Sequence, residues 1–125
     1  MLTNDLFYAA EKFHQALDAL ATGEGVLRER LITACMCNIT AHRAHPMRAG
    51  LGPKMPAELV ERIYDFTDRV TATAAVGNEG TLTATLNAMS DEELRSTAEE
   101  LSSLSLKVIE TFERDDARSS STSGV

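Results

Sequence analysis

Apolar residues recur along this chain at intervals of three and four positions, with polar residues between them. The first series consists of Leu6, Ala10, Phe13, Leu17 and Leu20. This spacing is typical of one face of an α-helix. It predicts a first helix that is capped by Thr3 or Asn4 and ends where Gly23 takes a left-handed conformation.

The segment from Gly23 to Pro46 opens with a Gly-Glu-Gly turn and closes with a proline, and the residues between them carry two apolar stripes and no helix breaker. At about 100° per residue, one stripe contains Leu27, Leu31, Ala34, Cys35, Asn38 and His42. The other contains Ile32, Met36 and Ile39. A helix that is apolar over more than half of its circumference packs from two sides, so we predict that this second helix is the central element of the fold.

Three more helices follow from the same period. The third begins near Pro56 and buries Leu59, Ile63, Phe66 and Val70. A short fourth helix, from about Thr81 to Ala88, buries Leu82, Leu86 and Met89. The last begins at a capping box of Ser90 and Glu93, runs to about Arg114, and buries Leu94, Ala98, Leu101, Leu104, Ser105, Val108 and Phe112. The predicted fold class is therefore all-α: a single-domain bundle of four long helices plus one short helix, packed around helix 2.

The length of the chain indicates the number of domains, and its composition excludes some classes of partner. A length of 125 residues fits one domain, with the helical bundle over residues 1–114 and a disordered polar tail, DDARSSSTSGV, over residues 115–125. A net charge of −7 and 5% aromatic residues argue against a nucleic acid as partner. Two cysteines, no signal-peptide pattern and no membrane-length apolar run predict a cytoplasmic protein that does not enter a membrane.

Two turn motifs and the residues around them carry a resemblance. They are the run from Ala21 to Gly25 with Arg28-Glu29-Arg30-Leu31 after it, and the run from Gly77 to Gly80, which leads into Ala84-Thr85 and Ala88-Met89. Over about residues 6–112 the chain resembles a group of small uncharacterised bacterial all-helical proteins with no known activity. The resemblance implies a bacterial cytoplasmic protein and supplies no catalytic residue.

Metal binding is one candidate chemistry, because Cys35, Cys37, His42 and His45 lie within eleven residues and are typical zinc ligands. On a helix, however, the two cysteines point about 200° apart and cannot share an ion. Cys35 and His42 share a face but lie about 10 Å apart along the axis. The metal alternative therefore uses Cys35, His42 and His45 with a ligand from another helix; otherwise Cys35 packs as a small apolar residue.

Two other kinds of site, a di-iron centre and a cysteine nucleophile, lack features that they require. Glu11 and His14 have the Glu-x-x-His spacing of di-iron bundles, but the chain contains no second pair of this kind. A cysteine–histidine nucleophile is disfavoured because neither cysteine lies at a helix N-terminus, where its pKa would fall. Asn38, on the inward face, would either bond neighbouring groups or select a partner or register. No cofactor is predicted.

These patterns favour a non-enzymatic protein-interaction or regulatory module that works through helix faces. Its partner would be another protein or a second copy, as in a homodimer. The segment between Arg30 and Lys54 has no acidic residue, whereas the last helix is acidic, which would steer an acidic partner or align two copies head to tail. The alternative is a small-molecule- or metal-binding bundle, enzymatic or not, with a ligand site at Asn38 and His42.

Overall fold

A computed structural model describes residues 5–38, 55–73 and 80–123, without the side chains of residues 5, 6, 37, 38, 116 and 118–123. Within these ranges it contains five helices and no strand: α1 (Asp5–Thr22), α2 (Leu27–Asn38), α3 (Ala57–Val70), α4 (Thr81–Asn87) and α5 (Asp91–Ser123). The all-α single-domain prediction is confirmed, with α4 as the short helix. The predicted start of helix 1 at Thr3 or Asn4 lies outside the described residues.

One hydrophobic core joins the five helices. Its largest fully buried side chains come from every helix: Phe13, Leu31, Ile63, Phe66, Val70, Leu86, Leu101, Leu104 and Val108. The most extensive contacts are those of α1 with α5 and with α2, while α2 also contacts α4 and α5. The central role of helix 2 stays a prediction, because residues 39–45 of that predicted helix lie outside the described residues.

The two apolar stripes of α2 differ in burial. In the first stripe, Leu31, Ala34 and Cys35 are completely buried, as predicted. In the second, Ile32 is half-buried and Met36 is 52% exposed. The first stripe is thus packed against the core, and the second is covered only in part.

The turn between α1 and α2 uses its two glycines differently from the prediction. Gly23 ends α1 as expected, with its N–H donating to the Ala19 carbonyl at 2.9 Å, but its φ is not positive. The left-handed residue is Gly25, with φ of +94°. Gly23 is required for another reason, because a Cβ at this position would overlap the Ala19 carbonyl oxygen. The predicted left-handed cap at Gly23 is therefore wrong.

Two arginines at the beginning of α2 bind the C-terminal ends of other helices. Arg28 donates from Nε to the Leu86 carbonyl at 3.1 Å and from Nη2 to the Met89 carbonyl at 3.0 Å, at the end of α4. Arg30 donates from Nη1 to the Leu20 carbonyl of α1 at 2.7 Å. Carbonyls at a helix C-terminus lack partners within the helix, and the helix dipole favours a cation there. The arginines thus fasten α2 to α1 and α4.

The beginning of α5 matches the prediction, and its end does not. The Ser90 N–H donates to Glu93 Oε1 at 3.0 Å and the Glu93 N–H donates to Ser90 Oγ at 3.2 Å, so the capping box is confirmed. These bonds, first that from the Ser90 backbone, lower the pKa of Glu93. The helix continues to Ser123, past the predicted end near Arg114. The division into a bundle and a tail stays a prediction.

Candidate functional site

Cys35 is the one predicted site residue whose side chain the structure describes. It is fully buried in the core beneath α2, and this burial raises the pKa of its thiol to about 12. The thiol therefore stays protonated near neutral pH, whereas nucleophilic attack uses the thiolate. The position suits the alternative in which Cys35 packs as a small apolar residue.

The side chains of the other predicted site residues are not among those that the structure describes. Asn38 is the last residue of α2 and its side chain is not among those described; His42 and His45 lie outside the described residues. The ligand site at Asn38 and His42, and the metal alternative with His45, stay predictions. Among the residues that are described, no group of three or more His, Cys, Asp or Glu side chains is arranged to hold a metal ion.

The structure instead reveals a groove between the N-terminal half of α1 and the C-terminal half of α5. We call it the α1–α5 groove. It has a volume of about 350 Å³ and is lined by Phe7, Ala10, Glu11, His14, Gln15, Ile109, Phe112 and Glu113. The Glu11–His14 pair, considered above for di-iron binding, is exposed on the rim of this groove rather than facing the core.

An aromatic pair forms the floor of the groove. The rings of Phe7 and Phe112 meet edge to face, with centroids 5.6 Å apart and planes at 63°. Phe112 is half-buried against the core, whereas Phe7 remains 51% exposed. Two of the four phenylalanines of the chain thus lie at this one surface. Aromatic side chains contribute most of their free energy through burial, so a half-exposed Phe7 retains apolar surface that a partner could cover.

The rim of the groove is acidic. Each wall contributes one carboxylate, Glu11 from α1 and Glu113 from α5, and no Lys or Arg is among the lining residues. Gln15 donates to Glu11 Oε1 at 3.5 Å, at the outer limit for a hydrogen bond. The lining contains no serine, cysteine or lysine that could act as a nucleophile. An apolar floor with acidic walls is suited to binding a partner that has an apolar face.

Two other cavities use their polar groups for internal contacts. One, of about 430 Å³, lies between the end of α3 and the beginning of α5, where Arg69 stacks over Phe66 and Glu93 belongs to the capping box. Another, of about 340 Å³, lies where α2 and α5 begin, and the Arg28 donors beside it are already bonded to carbonyls. Neither offers the apolar surface of the α1–α5 groove.

Sequence reasoning missed the groove for a specific reason. Phe7 lies one position away from the predicted apolar stripe of α1, so the pattern assigned it no role. Phe112 was predicted to be buried, and it is half-buried. The available signal was an aromatic residue on the outer side of a helix in a chain with few aromatics.

Comparisons with known proteins identify no relative of this chain. No protein-family model matches the chain, and searches of curated proteins and of solved structures give no significant match. The resemblance to small bacterial helical proteins therefore stays a prediction. Over the described residues, each helix is too short or too polar to traverse a lipid bilayer.

Proposed function

We propose that this protein is a non-enzymatic protein-interaction module that binds a partner through the α1–α5 groove. The observation that carries the proposal is the half-exposed Phe7 ring, which rests on Phe112 at the floor of an open, largely apolar groove. Recognition grooves in proteins commonly combine an apolar floor with a few polar groups at the edge.

Burial of Phe7 would contribute useful binding free energy. A phenylalanine side chain has roughly 200 Å² of surface, so the exposed half amounts to about 100 Å². At about 25 cal/mol per Å², covering it would contribute about 2.5 kcal/mol, the size of an interface hot spot. Ile109, which is half-buried beside Phe112, extends the same apolar surface.

Site-specific photocrosslinking in the native host tests the proposal. A photoreactive phenylalanine analogue is placed at position 7, and for comparison at Glu58, which is exposed on α3 away from the groove. We expect a discrete crosslinked protein from position 7 only. That protein, once identified and purified, should bind the chain at least about tenfold more weakly when Phe7→Ser is introduced.

Phe7→Ser is suitable because Phe7 lies in the first turn of α1 and contributes little to the core. Its thermal unfolding should match that of the unaltered chain to within a few degrees, which separates lost binding from lost folding. Equal crosslinking from positions 7 and 58, or equal affinity of the Phe7→Ser variant, would show that the groove is not the binding surface.

A further inference from the structure

From the shape and charge of the α1–α5 groove we infer that its occupant is a basic amphipathic helix of another protein. This inference rests on the proposed binding function and names the chemistry of the partner.

The length of the groove favours a short helical segment over a folded domain. From Phe7 to Gln15, α1 advances about 12 Å, or roughly two turns. A partner helix over this distance presents two or three apolar anchors at positions i, i+3 or i+4, and i+7. A standard interface between folded proteins uses about 20 to 30 residues on each side, far more than the eight that line this groove.

The charges of the groove favour a basic partner. Glu11 and Glu113 lie on opposite walls, and the lining supplies no cationic side chain except His14 when protonated. The neighbouring Glu110 is paired with Arg114, so it adds little net charge. The whole chain carries a formal charge of −7. A partner with Lys or Arg on both sides of its apolar stripe would therefore complement both walls at once.

The same charges disfavour a second copy of the chain as occupant. A symmetric dimer places the same patch of both subunits against each other. That arrangement would bring two copies of Glu11 and Glu113 together around one apolar contact, and like charges across an interface weaken it. A separate basic helix avoids this repulsion.

Two designed peptides distinguish these cases. Both are fluorescein-labelled helices of about 15 residues with leucines at i, i+3, i+4 and i+7; one carries lysines beside the leucines and the other carries glutamates. Each is titrated with the full chain and followed by fluorescence anisotropy. We expect saturable binding of the lysine peptide, at least about tenfold weaker with Phe7→Ser. The glutamate peptide should bind much more weakly.

A matched pair of double variants tests whether the carboxylates of the two groove walls contribute to binding. Glu11→Gln with Glu113→Gln should weaken the lysine peptide about three- to tenfold and reduce its salt dependence. Glu58→Gln with Glu61→Gln removes the same charge from exposed positions of α3 and should leave the affinity nearly unchanged. Equal losses from both double variants would mean that only net charge matters, and would overturn the inference.

The failure of this inference differs from a failure of the proposed function. If both peptides bind equally and Phe7→Ser weakens both, the groove binds helices without preference for basic ones. If sedimentation shows a dimer that Phe7→Ser abolishes, the occupant is a second copy. Both results overturn the inference and retain the groove as the binding surface. If neither peptide binds and position 7 yields no crosslink, both proposals are wrong.

Discussion

Replacement of Arg28 by alanine should destabilise the whole bundle, although this residue lies on the first turn of a helix. Its guanidinium donates to the Leu86 and Met89 carbonyls, at the end of α4. The substitution removes both bonds and leaves carbonyls that no longer face a cation. It would also loosen α4 from α2, because these bonds join residues that are distant in sequence.

The magnitude follows from the bonds that are lost. A hydrogen bond with one charged partner contributes about 1.5 to 3 kcal/mol, and a bond at a part-buried site is partly replaced by water. We therefore expect Arg28→Ala to lower the free energy of unfolding by about 2 kcal/mol in total. Unfolding entropy of about 2.1 cal/mol/K per residue converts this loss to a decrease in Tm of about 8 °C for a chain of 125 residues.

Circular dichroism during heating and urea titration measures both quantities. Arg28→Lys keeps the charge but not the planar fork, so it should lose about half as much free energy. Arg95→Ala serves as the control, since Arg95 is an exposed arginine near the beginning of α5 and should change stability by less than about 0.5 kcal/mol. If Arg28→Ala and Arg95→Ala shift Tm equally, the two carbonyl bonds do not stabilise the fold.

Two further substitutions test buried and surface polar groups. Ser105→Ala should stabilise the chain by about 1 kcal/mol, because the Ser105 hydroxyl is buried without a hydrogen-bond partner among the described residues and alanine favours helix. Ser102→Ala, half-buried on the same helix, should gain less, and calorimetry compares the two. Glu93 has a lowered pKa in the folded chain, so its stabilisation is present above the unfolded pKa of about 4.3 and is lost as pH falls through the folded value. The difference in unfolding free energy between the unaltered chain and Glu93→Gln should therefore shrink as the pH falls below the unfolded pKa, and a difference that stays constant with pH would contradict a stabilising charge at this cap.

The sequence predicted features that depend on local spacing. In α3, Leu59, Ile63 and Phe66 are buried as expected, because a period of three and four fixes which face of a helix is apolar. The capping box at Ser90 could be predicted equally well, since both of its residues lie within one turn of the helix. In such cases the pattern and the contact occupy the same few residues.

Features that depend on which helices pack together could not be predicted from spacing along the sequence. Arg28 is 58 and 61 residues from the carbonyls that it binds, and nothing in its own helix indicates them. The α1–α5 groove likewise requires that Phe7 and Phe112 meet, which follows from the pairing of the first and last helices. Periodicity gives the direction of a side chain and leaves open which helix lies there.

The pairing of α1 with α5 also sets the order in which the fold can be completed during synthesis. α1 leaves the ribosome well before its most extensive partner, α5, which begins only at Asp91. At about 5 to 20 residues per second, α1 waits on the order of several seconds before α5 can dock. Contact with α2, joined by Arg30 and the Leu20 carbonyl, is available much sooner. The α1–α2 hairpin is thus the part of the chain that can protect the apolar face of α1 until the bundle closes.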